Sequence, residues 1–245
     1  MATPNDPSAA ASTSSTTPSK PLNAISILDT PLAKTYNQLH PVLVLGIFLA
    51  SFRSLVADPL STMLGVLAPL AALQAVYAVL CLPGTQASPS SKSSGGKKAP
   101  AQSQGLGAKI VPALISTTLS LSLGAPLLAA VLILFGAPFT TLQLPTLAAA
   151  AHIALLAGVP LVYVHGVDTA RWRRVAALDV PIDDTFGAAL GVLLGAWVGA
   201  VPIPLDWDRE WQRWPVTVLA GAYGGWALGK AVGGTVGRGK RVRLD

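Results

Sequence analysis

Apolar residues in this chain come in long runs, not in alternation. The runs cover residues 36–56, 60–82, 110–135, 145–164, 185–201 and 214–235. A helix that crosses a bilayer needs about 20 mostly apolar residues. The pattern therefore predicts an all-α polytopic membrane protein, a bundle of about six transmembrane helices with glycine-ladder packing. The first run is the weakest. Its uninterrupted part, residues 41–52, is short, and it reaches spanning length only if Arg53 snorkels to one surface. Asp58 and Pro59 then make a turn. Pro126 lies inside the third run and predicts a kink there. Pro145 suits the first turn of the fourth helix.

The segments between the runs differ in kind. Residues 1–35 begin with a Ser-, Thr-, Ala- and Pro-rich stretch that cannot bury a core, and they read as a disordered tail. No apolar run begins before Ala24, so no cleavable signal peptide is expected. Residues 36–82 hold the first two spans. Residues 83–109 are a low-complexity linker carrying Lys92, Lys97, Lys98 and Lys109. Residues 110–235 hold a four-helix core, and residues 236–245 form a basic tail. The segment 165–184 is polar and reads as a charged loop, with Asp184 or Thr185 capping the next helix.

Two glycine ladders stand out. Gly187, Gly191, Gly195 and Gly199 recur every fourth residue, and so do Gly221, Gly225, Gly229 and Gly233. In water a glycine inside a helix costs about 1 kcal/mol relative to alanine. In a bilayer the balance inverts, because helices associate through close backbone contact and small residues supply it. The ladders predict two membrane helices turned back on each other with glycine faces available for packing, against one another or against a partner.

Composition supports the membrane reading. Hydrophobic residues make up 51% and charged residues 11%, against roughly 25% charged in a soluble domain. Mean hydropathy is +0.55. The net charge of +6 could suggest nucleic acid, but its distribution gives topology instead. With six spans, one side receives Lys20, Lys34, the linker lysines, Arg171, Arg173, Arg174, Arg238, Lys240, Arg241 and Arg243. The other receives only Arg53, Arg209 and Arg213. By the positive-inside rule both termini are expected in the cytosol, and no nucleic-acid partner is expected.

Candidate chemistry is sparse. Cys81 is the single cysteine, so no internal disulfide and no Cys/His zinc cluster can form. No metal, no cofactor and no catalytic residue is expected. His152 lies mid-span, where an ionisable group is a functional candidate, although one interhelical hydrogen bond would satisfy it. Asp168-Thr-Ala-Arg171 resembles the start of a lipid-alcohol phosphotransferase signature. Thr169 and Val180 stand where glycines belong, however, and Asp179, Asp183 and Asp184 have the wrong spacing for its metal ligands. The loop 204–215 is richer. Asp206, Trp207, Asp208, Arg209, Trp211 and Trp214 are candidates for partner or lipid-headgroup contact. The tryptophans recur at roughly helical spacing, which suits an interfacial half-turn.

The residues 134–138 (Leu-Phe-Gly-Ala-Pro), the stretch 191–215 and the glycine-rich span after it resemble the Pig-F family. The carrying motif is G-A-W-x-G-A-x-P-I-P-L-D-W-D-R-x-W-Q-x-W-P, and the resemblance is strongest over residues 110–234. It implies a multispanning protein of the endoplasmic reticulum membrane that acts in glycosylphosphatidylinositol (GPI) anchor biosynthesis. It further implies a non-catalytic subunit that binds and stabilises GPI ethanolamine phosphate transferases, beside membrane lipids. On that reading the catalytic metal belongs to the partner. The alternative is a lipid-handling enzyme or scramblase using a cavity lined by His152 and the carboxylates of the tryptophan-rich loop.

Overall fold

The computed structural model describes residues 22–85, 106–205 and 207–242. Among these residues there are helices and turns and no strand. Helix α1 (Pro31–Ala57) starts at a cap, Thr30, whose hydroxyl accepts from the Ala33 N–H at 3.2 Å. Pro31 supplies the pre-set first turn. The helix is longer than the run 36–56 because it extends toward the N-terminus. Pro41 sits inside it, as bilayer helices tolerate. Asp58 ends α1 and caps α2 (Pro59–Cys81), accepting from the Ser61 N–H at 3.3 Å. The Ser61 side chain and N–H together hold the Asp58 carboxyl below its ordinary pKa.

The third span consists of α3 (Leu106–Leu119), one π turn (Ser120–Gly124) and α4 (Ala125–Leu134). The Ala125 N–H reaches back five residues to the Ser120 carbonyl. This wider turn lies immediately before Pro126, whose ring cannot donate to the preceding turn. Helix α5 (Gln143–His165) is the centre of the bundle, with most of its length buried. Its alanines at 148–151, 154 and 157 let α2, α3, α4 and α7 approach closely.

The polar segment after α5 is not a plain loop. It contains a short helix, α6 (Thr169–Ala176), capped by the Asp168 carboxylate through the Ala170 N–H at 2.9 Å. The next cap also differs from the sequence expectation. Helix α7 (Asp184–Ala200) is capped by Asp183, not by Asp184 or Thr185. The Asp183 carboxylate accepts from the N–H groups of Thr185 and Phe186, both at 2.9 Å. Its other oxygen accepts from the Ile25 N–H at 2.9 Å, so one residue both starts α7 and fastens the N-terminal segment.

Helix α8 (Val216–Gly234) returns antiparallel to α7, and this pair shares the most extensive contact in the bundle. Among the described residues, five helical stretches are long and apolar enough to cross a membrane: Pro31–Ala57, Pro59–Cys81, Gly107–Leu134, Gln143–His165 and Asp184–Leu205. Helix α8 is less apolar because glycines and Lys230 take the place of aliphatic side chains. It lies against α7 along the whole seam. The described ends of the chain meet at one end of the bundle. There Leu28 N–H bonds to the Cys81 carbonyl at 2.9 Å, and the Arg241 guanidinium donates to the Leu22 carbonyl at 2.9 Å.

Candidate partner-binding surface and the buried polar positions

The glycine ladders face one another. A Cβ on Gly191 would collide with the Gly225 carbonyl oxygen and lie 2.9 Å from the Gly229 Cα. A Cβ on Gly195 would collide with the Gly221 carbonyl and lie 2.9 Å from the Gly225 Cα. Gly187 meets Gly229 and Gly233 in the same way, and Gly199 meets the Thr217 carbonyl and Val218 Cα. The reverse holds from α8, where Gly233 also meets the Asp183 carbonyl. Backbones this close gain dispersion and Cα–H···O contacts along the seam. The ladders are thereby used up inside the chain, and neither glycine face is left for another protein.

The outer face of α7 is different. Leu193, Leu194, Trp197, Val198 and Val201 are exposed. The chain then continues into the tryptophan-rich loop, which is held by two 3₁₀ turns, Ile203–Leu205 and Glu210–Gln212. Asp206 lies outside the described residues. Trp207 and Trp211 are exposed and meet edge to face, with centroids 5.8 Å apart. Asp208 takes a left-handed backbone conformation, φ 55°, which aspartate tolerates better than most residues. Arg209, like Asp208 and Glu210, points into the open.

Three bonds fasten this loop to the bundle. Gln212 is buried, and its amide donates to the Pro202 carbonyl at 2.7 Å. Arg213 donates to the Ala57 carbonyl at 3.2 Å. Trp214 does not share the surface of the other two tryptophans. Its indole N–H turns to the Thr146 hydroxyl at 3.0 Å. The half-turn expected for all three rings therefore holds two, and the third is an internal anchor on α5.

The remaining candidates are engaged inside the fold. His152 is buried, with Nδ1 2.7 Å from the Tyr223 hydroxyl and Nε2 3.0 Å from the Met63 carbonyl. A neutral imidazole satisfies both, and neither partner is a carboxylate of the loop. Asp168 caps α6. Asp179 pairs with Arg174 and Arg241, both at 3.0 Å. Among the described residues, no three His, Cys, Asp or Glu converge as a metal site.

One buried group has no motif to announce it. Lys230 on α8 donates to the Tyr77 hydroxyl at 2.6 Å. His40 stacks on Tyr77 at 4.5 Å and meets the edge of Trp226 at 5.3 Å. The signal for Lys230 in the sequence is an ionisable residue within the apolar run 214–235.

These features define a polytopic helical membrane protein with an internally zipped helix pair and an exposed aromatic end. The chain belongs to the GPI biosynthesis protein family Pig-F, whose family pattern matches residues 39–234. It is 46% identical over 223 residues to glycosylphosphatidylinositol anchor biosynthesis protein 11 of Neurospora crassa, covering 90% of this chain and 81% of that protein. The protein of the same name from Aspergillus fumigatus is 44% identical, covering 85% and 81%. The human protein called GPI ethanolamine phosphate transferase, stabilizing subunit, is 32% identical over 106 residues, covering 42% of this chain and 48% of its own. No solved structure matches.

Proposed function

We propose that this chain is a non-catalytic membrane subunit that binds and stabilises a GPI ethanolamine phosphate transferase. On this reading it resides in the endoplasmic reticulum membrane with both termini in the cytosol, and the tryptophan-rich loop faces the lumen. The observation that carries the proposal is the contrast between spent and unspent surface. The glycine faces are consumed by each other, whereas the outer face of α7 runs outward into exposed Trp207 and Trp211. Tryptophan is enriched among the residues that dominate protein–protein binding energy, and its ring also suits the headgroup level. The name of the human relative supports the same reading. Asp208 and Arg209, both exposed beside those rings, would form a polar rim.

The test is co-purification of the transferase with tagged full-length protein from detergent-solubilised membranes. Trp207→Ala with Trp211→Ala should weaken binding by about 30-fold in Kd, the effect of losing a hot spot worth about 2 kcal/mol, and so reduce recovery. Asp206→Asn with Asp208→Asn should lower transferase abundance. A complex at normal level with abolished phosphoethanolamine transfer would overturn the proposal and favour direct chemistry or headgroup binding at the loop. Glycosylation acceptors placed at Ser90 and Gln212 test the topology, and should report opposite compartments.

A further inference from the structure

A second set of polar side chains lies apart from the tryptophan-rich loop, at the opposite end of the bundle. Asn37 and His40 come from α1, Gln74 from α2, Asp184 from α7 and Lys230 from α8. His40 and Gln74 are both 0% exposed, and Lys230 is 6% exposed. Both ring nitrogens of His40 and both amide atoms of Gln74 have no hydrogen-bond partner, nor do the Asn37 Oδ1 and the Asp184 Oδ1. Lys230 carries three N–H donors and gives one to Tyr77. The ion pairs among the described residues do not include it, so no carboxylate there lies within 4.0 Å of its ammonium.

These groups are neighbours. His40 stacks on Tyr77, Tyr77 holds Lys230, and Gln74 lies one turn before Tyr77 on α2. The Asp184 carboxylate touches the position a Cβ would take on Gly234, one turn beyond Lys230. An isolated unpartnered polar atom in a membrane interior is costly. A set of them beside an ammonium held by the Tyr77 hydroxyl and ring face, 3.9 Å from the ring centroid, calls for a shared partner. The set mixes free donors (Lys230, the Gln74 amide, one His40 nitrogen) with free acceptors (Gln74, Asn37, Asp184, the other His40 nitrogen). An anion would leave the acceptors unmet, and a cation would meet Lys230. Water serves both, because each molecule donates two bonds and accepts two.

We propose that these side chains form a hydrated site within the membrane, where a cluster of water molecules bridges Lys230 to Asp184, His40 and Gln74. The water enters from the end of the bundle where the described chain ends meet. The path is short, since Asp184 is the first residue of α7 and Lys230 lies one turn from the end of α8. The segment before α1 roofs this end, tied by the Ile25 bond to Asp183 and the Ser26 bond to Arg238 at 3.1 Å.

The first test is thiol reactivity in full-length protein in membranes, with Cys81→Ala as background. Gln74→Cys should react with the small charged reagent 2-aminoethyl methanethiosulfonate at least about tenfold faster than Leu127→Cys, because a water-accessible thiol ionises and a lipid-facing one does not. Equal, negligible rates at the two positions would overturn the proposal. The second test is stability. In a dry core, His40→Phe with Gln74→Leu removes unpartnered groups and should leave the melting temperature unchanged or raised. In a hydrated site it strands the ammonium and should lower the melting temperature by about 5 °C or more. Adding Lys230→Met should then restore it, which a steric failure of the double variant would not allow. A stable double variant, or a loss that Lys230→Met fails to rescue, counts against the site.

Discussion

Helix α8 has two faces built on opposite principles. Toward α7, Gly221, Gly225, Gly229 and Gly233 bring backbone onto backbone, with no room for one added carbon. Toward α1, α2 and α5, Tyr223, Trp226 and Lys230 are large, buried and joined to their neighbours by rings or hydrogen bonds. The glycine face is specified by shape alone. The other is specified by which polar atoms find each other. Apolar side chains alone would gain little here, since lipid tails are as apolar as the helices. The membrane leaves shape and polar pairing as the two routes to a unique bundle, and α8 uses one on each side.

The contrast is most directly broken at the seam. Gly195→Leu or Gly225→Leu should cost more than about 3 kcal/mol, the upper end for overpacking, and yield little monodisperse protein in detergent. Wild-type thermal stability in either variant would end the close-packing account. Gly195→Ala and Gly225→Ala should each destabilise, yet the double variant should lose less than their sum, because both added carbons open one contact. Leu193→Ile, on the exposed outer face of α7, should melt with the wild type.

Next in size is the cap that joins the seam to the N-terminal segment. Asp183→Ala should cost about 1–2 kcal/mol, roughly 2–8 °C in melting temperature for a chain of this size. Asp183→Asn should recover part of it, since the amide oxygen still accepts from Thr185 or Phe186. On the polar face, Tyr223→Phe should cost about 1–2 kcal/mol by leaving the His152 Nδ1 without its partner. Replacing His152 by Leu in that background should cost less than it does alone, which a double-mutant cycle in thermal unfolding would read.

The smallest effect has the opposite sign. Gly224 sits beside Gly225, but a Cβ there meets nothing within 4 Å. Gly224→Ala should stabilise the protein by about 0.4–1 kcal/mol through reduced freedom of the unfolded chain. If neighbouring glycines on one helix respond with the same sign, the seam is not what sets their tolerance.

The spans are largely legible in the run pattern of the sequence. The run 185–201 corresponds to α7 at 184–200, and the run 60–82 to α2 at 59–81. Apolar length is a local property that a bilayer reads directly. Helix α6 is not legible, because eight residues interrupted by three arginines carry no apolar run, and its Trp172 is fixed by a turn, through the Gly166 carbonyl at 2.7 Å. At the candidate surface, the spacing of Trp207, Trp211 and Trp214 suggests one stripe. The last ring leaves it for Thr146, a residue on another helix.

What the sequence determined by itself was class and material: helices long enough for a bilayer, two stripes of small residues, and a charged and aromatic end. These follow from patterns within one helix or one loop, where neighbours in sequence are neighbours in space. Tertiary structure alone decided that the two stripes close on each other, that Asp183 also fastens the N-terminal segment through Ile25, and that His40, Tyr77 and Lys230 meet. Residues 40, 77 and 230 share no motif and no spacing. Their meeting depends on the register of α1, α2 and α8, and that register is set by the packing of whole helices.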